Sequence, residues 1–247
     1  MSGSTVKLAI AALGACLVAA AAHAQVLSIE DMQLIEAASR GDARRVEQLI
    51  AKGARANARD ATNTPTLCYA VRLRDVELAR VLLTNGVPPD VRCPGGFTPL
   101  GYAALVGDLP MAKRLARHDA RVDHRGANGN TPLQNAIAAG QVEMVRHLLS
   151  RGPDVEALDQ NGRPALVLAA ATGNVEIVGL LLDAGARIDA RDRQGWPPLF
   201  AALIEERVPA AELLVSRGAS VKDGCYPNSP ICAHMRIILA TMKPAGT

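Results

Sequence analysis

Apolar residues recur along the chain at helical spacing, and the whole pattern returns every 33 residues. Aligning Phe97-Thr98-Pro99-Leu100, Asn130-Thr131-Pro132-Leu133, Arg163-Pro164-Ala165-Leu166 and Trp196-Pro197-Pro198-Leu199 puts leucines at 100, 133, 166 and 199. The same step backwards reaches Leu67, within Thr64-Pro65-Thr66-Leu67, and then Leu34. Three and four residues past the leucine stand Ala103 and Ala104, Ala136 and Ile137, and Ala169 and Ala170, one face of a short helix. A second apolar group follows in each unit: Val81-Leu82-Leu83, Val145 with Leu148-Leu149, Val178 with Leu180-Leu181-Leu182, and Leu213-Leu214-Val215. Two short helices per unit are predicted.

Polar and small residues punctuate these groups in the same register. Gly96, Gly129, Gly162 and Gly195 precede the leucine by four residues and mark a tight turn, with Asn63, which tolerates positive φ, in that place in the earliest full unit. Gly41, Gly107, Gly140 and Gly173 stop the first helix, and Gly86, Gly152, Gly185 and Gly218 follow the second. Asp42, Asp75, Asp108 and Asn174 stand where they can cap the second helix, and Pro110 and Pro209 fall in its first turn, where a missing N–H costs little. A unit of turn, helix, turn, helix and loop, repeated at a fixed period, buries its apolar face only by stacking on its neighbours.

This arrangement resembles the ankyrin repeat. Thr131-Pro132-Leu133, Gly140, Val142-Glu143-Met144-Val145, Leu148-Leu149 and Gly152 match that pattern, as do Leu166, Ala169-Ala170, Gly173-Asn174-Val175-Glu176-Ile177-Val178, Leu180-Leu181-Leu182 and Gly185-Ala186. The resemblance covers residues 30–242 and implies an all-α solenoid of 33-residue helix-turn-helix units with short β-turn tips. Pro65-Thr66 inverts the Thr-Pro pair, Arg74 and Glu206 replace the inter-helix glycine, Asp119 replaces the terminal one, and Pro88-Pro89 stiffens a loop. Irregular turns are expected at those places. Residues 25–59 are expected to form an N-terminal capping unit, 60–224 five full repeats, and 225–247 a C-terminal capping helix and tail.

Composition narrows the alternatives. The chain is 49% hydrophobic but only 2% aromatic, which disfavours an all-β fold and excludes disorder over its length. A formal charge of +3, spread without a basic run, predicts no nucleic-acid partner.

The first 24 residues read as an address. A polar start ending in Lys7, an uncharged stretch over residues 8–22 and Ala22-His23-Ala24 match a secretory signal, with the mature chain beginning near Gln25 and a formal charge lowered to +2 by the loss of Lys7. The uncharged stretch is shorter than the roughly 20 residues a membrane span needs, so no membrane insertion of the mature chain is expected. A lipoprotein signal through Cys16 is the alternative. A periplasmic or secreted location makes disulfides the natural reading of Cys68, Cys93, Cys225 and Cys232, and proximity favours Cys68 with Cys93 and Cys225 with Cys232.

No phosphate loop, His-Glu-x-x-His pair or nucleophile elbow occurs, so no catalytic residue is proposed and no enzyme, cofactor or metal is expected. Binding of a partner protein, by a monomer, is the expected function. By resemblance, the turn tips and the exposed side of the first helix carry it. Arg59, Arg92, Arg125 and Arg191 would then line the tips, with Leu158 at the fourth of the five places, and Phe97, Asn130, Arg163, Arg193 and Trp196 would stand beside them, residue types that include the hot-spot formers Arg and Trp. Asp60, Asp159 and Asp192 adjoin the arginines and can offset their charge. The alternatives are a secreted effector using the same surface, or a metal- or redox-linked protein using Cys225, Cys232 and His234.

Overall fold

The computed structural model describes residues 27–127 and 129–221. Within them lie twelve α-helices in six antiparallel pairs: α1 (Ile29–Ser39) and α2 (Ala43–Ala51), α3 (Thr66–Leu73) and α4 (Val76–Thr84), α5 (Pro99–Val106) and α6 (Leu109–Ala116), α7 (Pro132–Ala138) and α8 (Val142–Leu149), α9 (Ala165–Thr172) and α10 (Val175–Asp183), α11 (Pro198–Ile204) and α12 (Val208–Ser216). No β-strand occurs among the described residues, only an isolated bridge between Arg59 and Pro65. The fold is all-α, as the 33-residue pattern predicts. The signal segment 1–24 with Cys16, and the segment 225–247 with Cys225, Cys232 and His234, lie outside the described residues.

Each helix starts and stops for a local reason. Asp42, Asp75, Asp108 and Asn174 accept N–H bonds from the first turn of the second helix in their pairs, and Ser28 with Asp31 and Thr131 with Gln134 form reciprocal capping boxes. Between the paired helices the backbone enters the left-handed region at residues 41, 74, 107, 140, 173 and 206 without exception. Arg74 and Glu206 therefore take up the same φ as the glycines they replace, at +57° and +55°, and Asp119 and Asn63 do likewise at +63°. The departures in sequence leave the turns regular, at a steric cost on the order of 1 kcal/mol for each side chain held there.

The pairs stack in register. Odd-numbered helices pack on odd ones and even on even, while each odd helix packs on its own partner. The six leucines at the 33-residue step are all buried between layers. The alanines beside them, Ala103 and Ala104 or Ala169 and Ala170, are fully buried as well. Small side chains there let neighbouring helices approach closely. At the tips, a Cβ on Gly96 would stand 2.6 Å from that of Ala127, so this glycine is required by contact with the next tip as well as by its φ of +80°.

A second tie joins the loops. The carboxylates of Asp90, Asp123, Glu156 and Asp189, each 33 residues apart, accept the backbone N–H of Arg121, Asp154, Arg187 and Ser220 in the next unit at 2.9–3.3 Å. One step earlier the donor place is held by Pro88, which has no N–H to give.

Candidate partner-binding face

The tips project beside the odd-numbered helices, and their chemistry is set by one anchoring plan. At three tips an aspartate opens the turn and its Oδ1 accepts two backbone N–H groups: Asp60 from Thr62 and Thr64, Asp159 from Asn161 and Arg163, Asp192 from Gln194 and Trp196, all at 2.8–2.9 Å. At the Asp60 and Asp192 tips, and at the tip that opens with Gly126, the arginine just before the turn closes it from the other side, whereas the Asp159 tip has Leu158 in that place. Arg59 donates to the Asn63 carbonyl at 3.1 Å, Arg125 to the Gly129 carbonyl at 2.6 Å and also to the Leu158 carbonyl, and Arg191 to the Gly195 carbonyl at 2.8 Å. Hydrogen bonds to charged groups contribute about 1.5–3 kcal/mol each, so these side chains hold their own turns.

The first tip carries a further contact. The Tyr69 hydroxyl donates to Asp60 Oδ2. Burial works against ionisation of Asp60, but the bonds from Tyr69, Thr62 and the turn amides outweigh it and hold the carboxyl down at about 2. Burial, then the bond to Asp60, pushes the Tyr69 phenol up to about 12.

The remaining candidates divide. Arg163 forms an ion pair with Asp159 at 2.9 Å, and Asp159 is almost wholly buried. Phe97 packs edge-on against Tyr102 at 6.1 Å between ring centres. Asn130 faces Asn135 Oδ1 at 3.4 Å. Arg193 is exposed and lies along the preceding tip, its Cβ only 2.8 Å from where a Cβ on Gly162 would stand. Arg92 is exposed and bonds to none of the described residues. Trp196 keeps 37% of its surface exposed and leans on buried Phe200 at 5.0 Å between ring centres.

Two depressions lie along this face. One, of about 260 Å³, runs between the last two tips and brings together Arg163, Trp196, Asp192, Ile204 and Glu205. The other, of about 60 Å³, is lined by Tyr69, Arg72, Tyr102 and the Cys68–Cys93 pair. The Sγ atoms of that pair are 2.05 Å apart, at bonding distance, with Cα atoms separated by 5.4 Å. Trp196 and Arg163 stand one unit apart in the sequence, but the linear pattern alone does not bring them into one groove, nor Tyr69, Arg72 and Tyr102 into a second. The period of 33 was the available signal, since Tyr69 and Tyr102 are one unit apart. Among the described residues no group of three or more His, Cys, Asp or Glu side chains is placed to hold a metal ion, and no helix is long and apolar enough to cross a membrane.

A family model described as ankyrin repeats, in three copies, matches residues 34–125, 67–159 and 152–224. No curated protein sequence matches the chain. Solved structures do. An ankyrin repeat domain from Acinetobacter baumannii AYE is 28% identical, with 76% of this chain and 98% of that one covered and a TM-score of 0.72. The ankyrin repeat domain of Bcl-3, a member of the IkappaB protein family, is 25% identical over 82% of this chain and 97% of that one, with a TM-score of 0.73. The human ASB11 ankyrin repeat domain is 27% identical over 83% and 96%, with a TM-score of 0.66.

Proposed function

The chain belongs to the ankyrin-repeat family, a protein–protein interaction scaffold, and from that premise we propose that it is a non-catalytic periplasmic protein that captures a partner protein on its tips and odd-numbered helices. Residues 25–59 and 225–247 cap the stack in this reading, and residues 60–224 present the surface. The observation that carries it is the groove at Trp196. The chain's one tryptophan stands there half out of the core, supported by Phe200 and beside a paired arginine. An apolar ring presented on a rigid support is what makes a hot spot, because little side-chain entropy remains to be lost on binding.

Arg92 joins Trp196 as a contact residue because no tip carbonyl engages it. Arg59, Arg125 and Arg191 act mainly as turn clamps, with Phe97, Asn130, Arg163 and Arg193 along the rim. Export supplies the oxidising compartment in which the Cys68–Cys93 bond persists. The test has two parts. Osmotic-shock fractionation with N-terminal sequencing is expected to find the chain in the shock fraction, starting at Gln25; recovery from culture medium favours a secreted effector instead. In cross-linked cells, Arg92→Ala with Trp196→Ala is expected to cut partner recovery at least tenfold with melting unchanged. Undiminished recovery contradicts the assigned face.

A further inference from the structure

The even-numbered helices stack on one another, and most of their charged side chains meet as ion pairs in the 33-residue register. Arg80 of α4 pairs with Glu77 at 2.7 Å and reaches Glu47 of α2 at 4.0 Å. Arg146 of α8 pairs with Glu143 at 3.7 Å and with Glu176 of α10 at 2.8 Å. Between α10 and α12, Asp183 and Arg217 meet at 2.9 Å. The groove between α6 and α8 breaks this plan. Lys113 holds the place of Arg80 and Arg146, but Pro110 stands where the other two have their glutamate. The places of Asp183 and Arg217 are taken, two units earlier, by Arg117 and Arg151, so two guanidinium groups replace an ion pair. Lys113, Arg117 and Arg151 form no ion pair among the described residues.

Arg151 turns back toward α6, where one of its N–H groups donates to the Ala116 carbonyl at 3.2 Å, next to Arg117 in the chain. Arg117 in turn follows Lys113 by one helical turn. His147 takes the place held by Val81, Leu180 and Leu213 in other units, and its Nε2 is buried without a hydrogen-bond partner among the described residues. Burial, then the charges of Lys113 and Arg151, push this ring below the ordinary histidine range. The other charged groups around it do not cancel those cations. On α6, Arg114 has the same sign and His118 is half-buried, while Glu143 on α8 and Glu176 on α10 are both held by Arg146. Asp119, just past α6, is exposed and forms no ion pair among the described residues. Offsetting the helix dipole does not require an arginine at this place, since Thr84, Ser150, Asp183 and Ser216 occupy it in other units.

We propose that the groove between α6 and α8 binds a compact, doubly charged oxyanion of the phosphate class, held by Lys113, Arg117 and Arg151 over His147. The inference goes beyond the partner-binding face and does not depend on it. Guanidinium forks present paired N–H donors that match a tetrahedral oxyanion, and the lysine ammonium adds a point charge. The anion supplies between α6 and α8 the counter-charge that Asp183 supplies between α10 and α12. Its source is a soluble phosphate or phosphomonoester. Exposed Glu77, Glu143 and Glu176 lie on the helices at and beyond the groove, so a flat anionic bilayer would meet carboxylates together with the cations, whereas a small anion meets the cations alone.

The test titrates the full mature chain with inorganic phosphate at constant ionic strength and follows the His147 ring proton by NMR, its signal identified by its loss in His147→Gln. A saturable shift with half-saturation at millimolar phosphate or below is expected, together with a raised melting temperature; no shift overturns the site. Sulfate keeps its double charge between about pH 8 and 6, and a bound anion favours the protonated ring, so its affinity is expected to rise by roughly twofold or more over that fall in pH. Unchanged sulfate affinity overturns the placement over His147. Arg117→Asp rebuilds the α10–α12 pairing with Arg151, and is expected to melt higher than wild type without phosphate while binding phosphate about tenfold more weakly. Should it not fold, Lys113→Gln with Arg117→Gln carries the same expectation for affinity. Arg44→Asp makes the same change of net charge at an exposed position on α2 and is expected to keep wild-type affinity. Equal weakening in Arg44→Asp, or a ring shift that survives Arg117→Asp, reveals diffuse attraction and overturns the site. Pelleting of the wild type with phosphatidylglycerol vesicles, displaced by phosphate, overturns the soluble source.

Discussion

The tips at residues 92–97 and 191–196 stand at the same place in the repeat and are held by different chemistry. At the later tip Asp192 gathers the turn amides and Arg191 closes on the Gly195 carbonyl. At the earlier one the aspartate position is Cys93, so no carboxylate is present to accept those amides. That turn is joined instead to the preceding helix at Cys68, and its backbone keeps the Cys93 N–H to Phe97 carbonyl bond. The consequence falls on the arginine. Where the turn closes on its arginine, the side chain is occupied; where a cross-link ties the turn to α3, Arg92 extends into solvent. The means of anchoring a tip thus decides whether its arginine is available to a partner.

The largest expected effect comes from cutting the cross-link. Cys68→Ser with Cys93→Ser is expected to cost about 3 kcal/mol in oxidised protein, the value for closing a loop of about this length, and nothing relative to wild type under full reduction. Denaturant unfolding with and without reductant reads the difference. Cys93→Asp in the Cys68→Ser background rebuilds the later tip's plan and is expected to recover about 1 kcal/mol. Failure to recover any stability would show that the aspartate alone does not define the anchor.

A smaller loss is expected at the later tip. Asp192→Ala leaves the Gln194 and Trp196 amides without their acceptor and is expected to cost about 1–2 kcal/mol, with faster hydrogen exchange confined to residues 192–196. Exchange that spreads through α11 instead would mean that the tip and the helix unfold as one unit.

The smallest effect lies at the first tip, where Tyr69 reinforces the aspartate. Asp60 has its carboxyl depressed from 3.8 to about 2, so its contribution is full above about pH 4 and disappears as pH falls through 2. Tyr69→Phe is expected to remove about 1 kcal/mol at neutral pH and to shrink the loss of stability between pH 4 and 2, since less depression remains to be lost. Acid titration of unfolding free energy for both proteins checks the sign; an unchanged acid limb would contradict the role given to the Tyr69–Asp60 bond.

Much of this was legible in the sequence. Glycines, caps and apolar triplets act within a few residues of one another, so Asp75 or Asn174 reads as a cap before any fold is known. Arg74, Asp119 and Glu206 break the glycine pattern in the sequence, yet their neighbours on both sides impose the left-handed turn regardless. The ties between units were harder to read. Asp90, Asp123, Glu156 and Asp189 keep the period, but a loop carboxylate looks solvated until stacking brings the next loop's N–H to it. The arginine ladder was readable as a pattern, while the carbonyls that occupy Arg59, Arg125 and Arg191 exist only in the closed turn. The groove joining Trp196 to Arg163 likewise depends on how far apart two tips stand, a distance set by the alanines between helices.

Site-specific photo-cross-linking in cells expressing the full chain tests the central claim most directly, with a photoreactive residue placed at Trp196, at Leu105 or, on the outer helix α8, at Arg146. Adducts to the same partner from positions 196 and 105 and none from 146 are predicted. Adducts from 146 alone would place the partner on the opposite side of the stack and contradict the account.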